Sequence, residues 1–215
     1  MSAADVQRDD TPRVVLLHGV WMRAFTLTAL RRRLEQAGFR VELFDYSSVF
    51  RDPQTSVAQL MALVRGLAAP EVHYVGHSLG GLIALQALQQ ADDLPPGRVV
   101  CLGTPLRGSA VARTLARLPG GSLLLGRNAA MLRDGLQQQT FQRAVGAIAG
   151  RLPIGIGVLS GSLASPHDGT VSVAETHLPA LHDHTVVAAT HFGLLFSDEA
   201  AQHTIAFLRG GSFRH

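Results

Sequence analysis

The segment Gly76-His77-Ser78-Leu79-Gly80 constrains this chain more than any other. A short apolar run, Val72–Val75, leads straight into it, and an apolar stretch at helical spacing, Leu79–Gln90, follows at once. A chain that passes from strand to helix in so few residues must turn sharply. The residue at the turn is forced into a strained backbone conformation, and the residues two positions to either side must be small. Gly76 and Gly80 meet that need, and Gly81 lets the helix lie close to the sheet. A serine held up at such a turn is the setting of a nucleophile; the competing reading is a glycine-rich turn with a bystander serine.

The rest of the chain supplies the frame that such a turn requires. Apolar runs alternate with segments of helical period. Strands are expected over Arg13–Leu17, Val41–Tyr46, Val72–Val75, Arg98–Leu102, Gly155–Ser160 and Thr185–Ala189. Helices are expected over Thr26–Ala37, Gln54–Ala69, Leu79–Gln90 and Asp198–Arg209, with Gly38 closing the first and Pro70 stopping the second. Strand–helix alternation with near-continuous apolar strands implies α/β architecture, with a mostly parallel six-stranded sheet flanked by helices. In such sheets functional groups gather past the carboxyl ends of the strands. The long stretch Thr104–Pro153 breaks the alternation and is rich in glycine. It reads as a small helical cap inserted in a single domain spanning 13–215, after a flexible N-terminus at 1–12.

Composition excludes several classes. The chain has 215 residues with 47% hydrophobic content, enough for one sizeable core, and charged residues make up only 16%. The pI of about 9.9 overstates the charge: the net is +3, and every basic side chain other than histidine is arginine. No basic run and no interleaved aromatics point to nucleic acid. The triplet Arg31-Arg32-Arg33 reads as a solvated helix face. Cys101 stands alone in an apolar strand, the ordinary context of a buried structural thiol. Met1–Pro12 lacks the pattern of a signal peptide and no apolar run is long enough to span a bilayer, so a cytoplasmic location is the expectation.

A serine hydroxyl needs a base, and the base needs an orienting carboxylate. After a serine at this kind of turn, acid and base follow in that chain order. Of ten histidines, His18, His73 and His77 precede the serine, and His167, His177, His182 and His184 precede the sixth strand. His203 falls within the last helix and His215 is terminal. His191 comes two residues after the sixth strand, at a carboxyl end, and is the candidate base. Asp168, followed by Gly169 in Ser165–Val171, is the candidate acid on the loop after the fifth strand, with an ordinary Asp-Gly turn as the alternative. Asp183 is its rival, but it lies before the sixth strand, at the wrong end of the sheet. Two N–H donors must carry a developing oxyanion: Leu79, directly after the serine, and Val20, in the turn after the first strand. Trp21 and Met22 fall at the pocket mouth as substrate-binding candidates, or else serve surface packing.

With these pieces in hand, the chain resembles the bacterial lipase and esterase branch of the α/β hydrolases. The resemblance rests on LLHGV (Leu16–Val20), GHSLGG (Gly76–Gly81), LGTPLRGS (Leu102–Ser109), HDGTV (His167–Val171) and THFGLL (Thr190–Leu195), in family order across most of the chain. It implies an α/β-hydrolase fold, a triad of Ser78, Asp168 and His191, and an oxyanion hole at Val20 and Leu79, with neither cofactor nor metal. The first strand is already the one that ends in His-Gly, so the fold is expected to be near-minimal, and the short cap points to an esterase or small lipase. Cleavage of an acyl ester through an acyl-enzyme on Ser78 is the implied chemistry. A protonated imidazole cannot act as base, so the rate is expected to fall below about pH 6.5, the ordinary histidine value. A thioesterase, amidase or acyltransferase with the same triad is the nearest alternative. A non-catalytic binding protein on the same scaffold is a second, and a metal hydrolase using His167, His177, His182 and His184 a third.

Overall fold

The computed structural model describes residues 11–136, 140–155, 157–158 and 161–214. Of the N-terminal stretch expected to be flexible, residues 1–10 lie outside the described residues. Six strands form one sheet: β1 (Arg13–Leu17), β2 (Arg40–Phe44), β3 (Val72–His77), β4 (Val99–Leu102), β5 (Val145–Gly150) and β6 (Asp183–Val187). Their order is β2-β1-β3-β4-β5-β6 and every neighbouring pair is parallel. All carboxyl ends therefore open on one edge of the sheet, with β3 and β4 at its centre.

The two faces are covered by helices, as parallel strands require. Alternation along β1 makes the division plain. Val14 and Leu16 face a core with α1 (Thr28–Gln36) and α8 (Asp198–Gly210); Val15 and Leu17 face the other, with α2 (Pro53–Gly66) and α3 (Leu79–Gln90). Asp52 caps α2 by accepting from the Gln54 N–H, and Pro53 occupies its first turn, where no N–H is missed. Helix α3 is apolar nearly all round because it is buried nearly all round: Leu79, Leu82, Ile83, Ala84 and Ala87 are fully enclosed. Each such Leu or Ile contributes about 1.5–3 kcal/mol of burial.

The fifth strand differs from expectation. It is Val145–Gly150, not Gly155–Ser160, and of the latter segment residues 156, 159 and 160 lie outside the described residues. The sequence VGAIAG has weak strand character, but packing demands its glycines. A Cβ on Gly146 would stand 2.6 Å from the Phe207 ring and 2.7 Å from that of Phe213, and one on Gly150 would stand 2.5 Å from the Ala189 carbonyl oxygen. Gly155 and Gly157 instead press on the Gly169 carbonyl, where a Cβ would approach to 2.8 and 2.6 Å. Gly155 and Gly157 thus brace the Asp168 turn. The range 104–153 therefore includes a strand of the sheet, and the segment between β4 and β5 ends at Ala144. It carries three short helices, α4 (Ala110–Ala116), α5 (Gly121–Leu125) and α6 (Ala129–Asp134). The remaining helix, α7 (Val173–Thr176), follows the Asp168 turn. No helix of the described residues is long and apolar enough to cross a membrane.

Candidate active site

Ser78 stands at the carboxyl end of β3 with φ 53° and ψ −119°. A non-glycine residue held there costs about 1–3 kcal/mol, and its surroundings enforce it. The Ser78 N–H donates to the Leu102 carbonyl at 2.9 Å, and its own carbonyl accepts from the Gly81 N–H at 3.2 Å. The close turn leaves no room for side chains at its flanks. A Cβ on Gly76 would lie 2.3 Å from the Gly81 nitrogen, and one on Gly80 2.5 Å from the Leu17 carbonyl oxygen.

Asp168 and His191 come together from the loops that follow β5 and β6. The His191 Nδ1 lies 2.7 Å from Asp168 Oδ2, and the His191 N–H donates to the Asp168 carbonyl at 2.8 Å. Asp168 is buried, and its Oδ1 accepts from the N–H groups of Thr170 at 2.9 Å and Val171 at 2.7 Å. Burial alone would raise the carboxyl; the opposing charge of His191 and these hydrogen bonds outweigh it and hold it below the usual carboxylate range. An ionised carboxylate only accepts, so the His191 proton sits on Nδ1 and Nε2 is the basic nitrogen. Gly103, at φ 56°, makes room for the ring: a Cβ there would stand 3.0 Å from His191 Nδ1. The rival carboxylate, Asp183, opens β6 at the opposite edge of the sheet, where it accepts from the His184 and Phe213 N–H groups.

The turn after β1 is braced by His18, which is fully buried. Its Nδ1 donates to the Gly19 carbonyl at 2.9 Å and its Nε2 accepts from the Tyr46 N–H at 3.3 Å. The Tyr46 hydroxyl returns a hydrogen bond to the His18 carbonyl at 2.6 Å, and the rings stack 4.3 Å apart. Burial lowers the His18 pKa, against the opposing pull of the Gly19 carbonyl and Asp45, so the ring stays neutral. Val20 follows this braced turn. Among the described residues, neither the Val20 N–H nor the Leu79 N–H donates to a protein acceptor.

Ser78, Val20 and Trp21 line a cavity of about 680 Å³ whose remaining wall is chiefly apolar, including Val111, Leu115 and Leu125 of the helical segment. Trp21, at φ 59° and 59% exposed, donates from Nε1 to the Leu124 carbonyl at 2.6 Å and so ties the β1 turn to α5. It also borders a second cavity of about 380 Å³, shared with Met22, Asp45, Ser47 and Gln59. Met22 thus lines this second cavity of mixed polar and apolar wall, and not the apolar cavity beside Ser78. The histidines of the metal reading are engaged elsewhere. His182 accepts from the Val145 N–H and His167 from the Gly169 N–H, while His184 pairs with Thr176 and meets His177 edge to face. Among the described residues, no three His, Cys, Asp or Glu side chains cluster as a metal site.

Sequence reasoning passed over His77. It lies against the His191 ring, with centroids 4.7 Å apart, and its Nε2 is 3.0 Å from the His191 carbonyl oxygen. Its place beside Ser78 in the motif was the only available signal, because the residue it touches comes from the far side of the sheet.

No curated protein matches this chain in sequence. Among solved structures, the chain is similar to the lipase BlEst2 of Bacillus licheniformis in its mature form, with 20% identity, 95% of this chain and 94% of that one covered, and a TM-score of 0.76. It is similar to the type II thioesterase BorB of the borrelidin biosynthetic cluster, with 16% identity, 94% and 92% covered, and a TM-score of 0.65. The RedJ thioesterase of Streptomyces coelicolor matches at 12% identity over 93% and 85% of the two chains, with a TM-score of 0.61. These likenesses concern the fold. The profile of the alpha/beta hydrolase family matches residues 14–191, most of the described sheet and every candidate residue. The chain belongs to the alpha/beta hydrolase family.

Proposed function

We propose that this chain is a serine hydrolase that cleaves carboxylic esters, with Ser78 as nucleophile, His191 as base and Asp168 as its orienting acid. One observation carries the reading: the Asp168–His191 pair leaves Nε2 basic at the same sheet edge where Ser78 is held in strain, in the wall of an apolar cavity. Ser78 Oγ attacks the ester carbonyl as His191 Nε2 takes its proton. Asp168 stabilises the imidazolium, and the Val20 and Leu79 amides receive the oxyanion. The C–O bond breaks, the alcohol leaves with the proton from His191, and the acyl group stays on Ser78. Water then attacks, giving its proton to His191, and the acid is released as Ser78 recovers its own. Bond making and breaking need no cofactor. The apolar wall suits the hydrocarbon of an acyl chain, with the helical segment before β5 as its cap and Trp21 at its mouth.

Incubation with a fluorophosphonate probe, followed by peptide mapping, tests this directly. Labelling is expected at Ser78 of the folded protein and is expected to be lost in His191→Ala. Absence of an adduct, with or without detergent to open the cap, would favour a non-catalytic binding protein. The likeness to BorB and RedJ supports a second reading, a thioesterase using the same residues. Comparing an ester and a thioester of one acyl chain separates the two.

A further inference from the structure

His191 is tethered at three points. Two tethers belong to Asp168, on the main-chain N–H at 2.8 Å and on Nδ1 at 2.7 Å. The third is the hydrogen bond from His77 to the His191 carbonyl, at 3.0 Å. His77 directly precedes Ser78, so one residue's backbone and one hydrogen bond link the two groups that must exchange a proton, although they come from β3 and from the loop after β6.

The donor is fixed in kind as well as in place. A carbonyl only accepts, so His77 carries its proton on Nε2. Its Nδ1 is buried and has no partner among the described residues. Glycine at position 19 leaves the ring its room, since a Cβ there would come within 3.1 Å of Nδ1. A proton on Nδ1 would have no acceptor there, and only one tautomer is served by the site. Burial first, and the neighbouring His191 second, push the His77 pKa down to about 3, so the ring is neutral wherever His191 can act as a base. An apolar side chain would fill the same volume without stranding a buried nitrogen. What the imidazole adds over an apolar side chain is the N–H aimed at the His191 carbonyl.

We infer that His77 is a positioning residue: it fixes the main chain of His191 relative to Ser78 and acts through His191, not on the substrate. The inference rests on the reading of Ser78 and His191 as nucleophile and base.

Three variants test it: His77→Gln, His77→Asn and His77→Leu. The glutamine amide nitrogen reaches about as far as imidazole Nε2; that of asparagine stops at the Nδ1 position. His77→Asn and His77→Leu are expected to lower kcat by about tenfold to a hundredfold, the scale of a small misplacement of reacting groups, with KM held within about twofold. His77→Gln is expected to stay within about threefold of the parent. The downfield proton resonance between His191 and Asp168 is expected to be sharp in the parent and in His77→Gln and broadened in the other two. If His77→Leu fails to fold, the asparagine–glutamine pair alone decides. Equal loss in His77→Gln and His77→Asn, or full kcat in His77→Asn, would overturn the inference and leave the catalytic reading untouched. Failure of the parent to take the fluorophosphonate at Ser78 would overturn both.

Discussion

At the scale of the residue, strain and immobilisation mark the site. Ser78 is held at positive φ by hydrogen bonds on both of its backbone groups, and glycine is the residue that adopts such a conformation without steric cost. Ser78→Gly and Ser78→Ala are both expected to abolish turnover. Ser78→Gly is expected to be the more stable of the two by about 1 kcal/mol, because it relieves strain that alanine retains. Urea unfolding of the pair measures this, and equal midpoints would mean that the turn stores no strain. His77 and Asp168 hydrogen-bond to the backbone of His191, His18 braces the turn after β1, and each of the three is buried.

At the scale of the element, the segment between β4 and β5 supplies most of the wall of the apolar cavity beside Ser78. Ala112 lies in α4, buried, in the wall of the apolar cavity beside Ser78. Ala112→Phe adds a ring to that wall. It is expected to lower kcat/KM for an octanoyl ester at least tenfold relative to an acetyl ester, a loss of about 1.4 kcal/mol or more in transition-state binding. An unchanged ratio would remove the cavity from the acyl-binding role. Strand β5 makes the complementary point about fold. Gly146→Ala drives a methyl toward Phe207 and Phe213, which close the core beneath α8. Overpacking of this kind is expected to cost about 1–3 kcal/mol, read as a lower urea midpoint with an unchanged slope.

At the scale of the whole molecule, buried neutral histidines set the response to acid. Burial lowers the pKa values of His18, His73, His77 and His184, that of His77 to about 3. These rings take up protons at lower pH in the folded chain than in the unfolded chain, whose histidines titrate near about pH 6.5. The unfolded state then binds more protons, so stability falls as pH falls through that value. For His77 the slope is about 1.4 kcal/mol per pH unit, and it continues until the pH nears the folded value. Asp168, with its pKa lowered, adds stability above about pH 3.9 that is lost below it. Tm is therefore expected to decline steadily from pH 7 to pH 5, before carboxylates titrate, and His77→Gln is expected to flatten part of that decline. A level Tm across this window would contradict the picture.

Much of this protein is legible in the linear sequence, because its strongest signals are local. Strand, tight turn and helix meet within a few residues around Ser78, and Gly76 and Gly80 leave no room for larger residues at the flanks of the turn. Chain order and a position past the sixth strand single out His191. The expectation of Asp168 rests on a strand at Gly155–Ser160 that β5 at Val145–Gly150 replaces, and the folded chain still brings the two to hydrogen-bonding distance. Five of the six strands also follow from their own apolar runs. What the tertiary structure decided depends on contacts between distant segments. The glycines of β5 read as part of a helical cap until Phe207 and Phe213 are seen to occupy the space a side chain on Gly146 would need, and the Ala189 carbonyl that of Gly150. Met22 lines only the second cavity and Trp21 borders both, a matter of how the β1 turn packs on α5 and on the loop after β2. His77 has a bond to His191 only because parallel strands carry both to the same edge. A sequence records the preferences of each residue for its neighbours along the chain; which side chains share a volume is fixed only when the sheet closes its register.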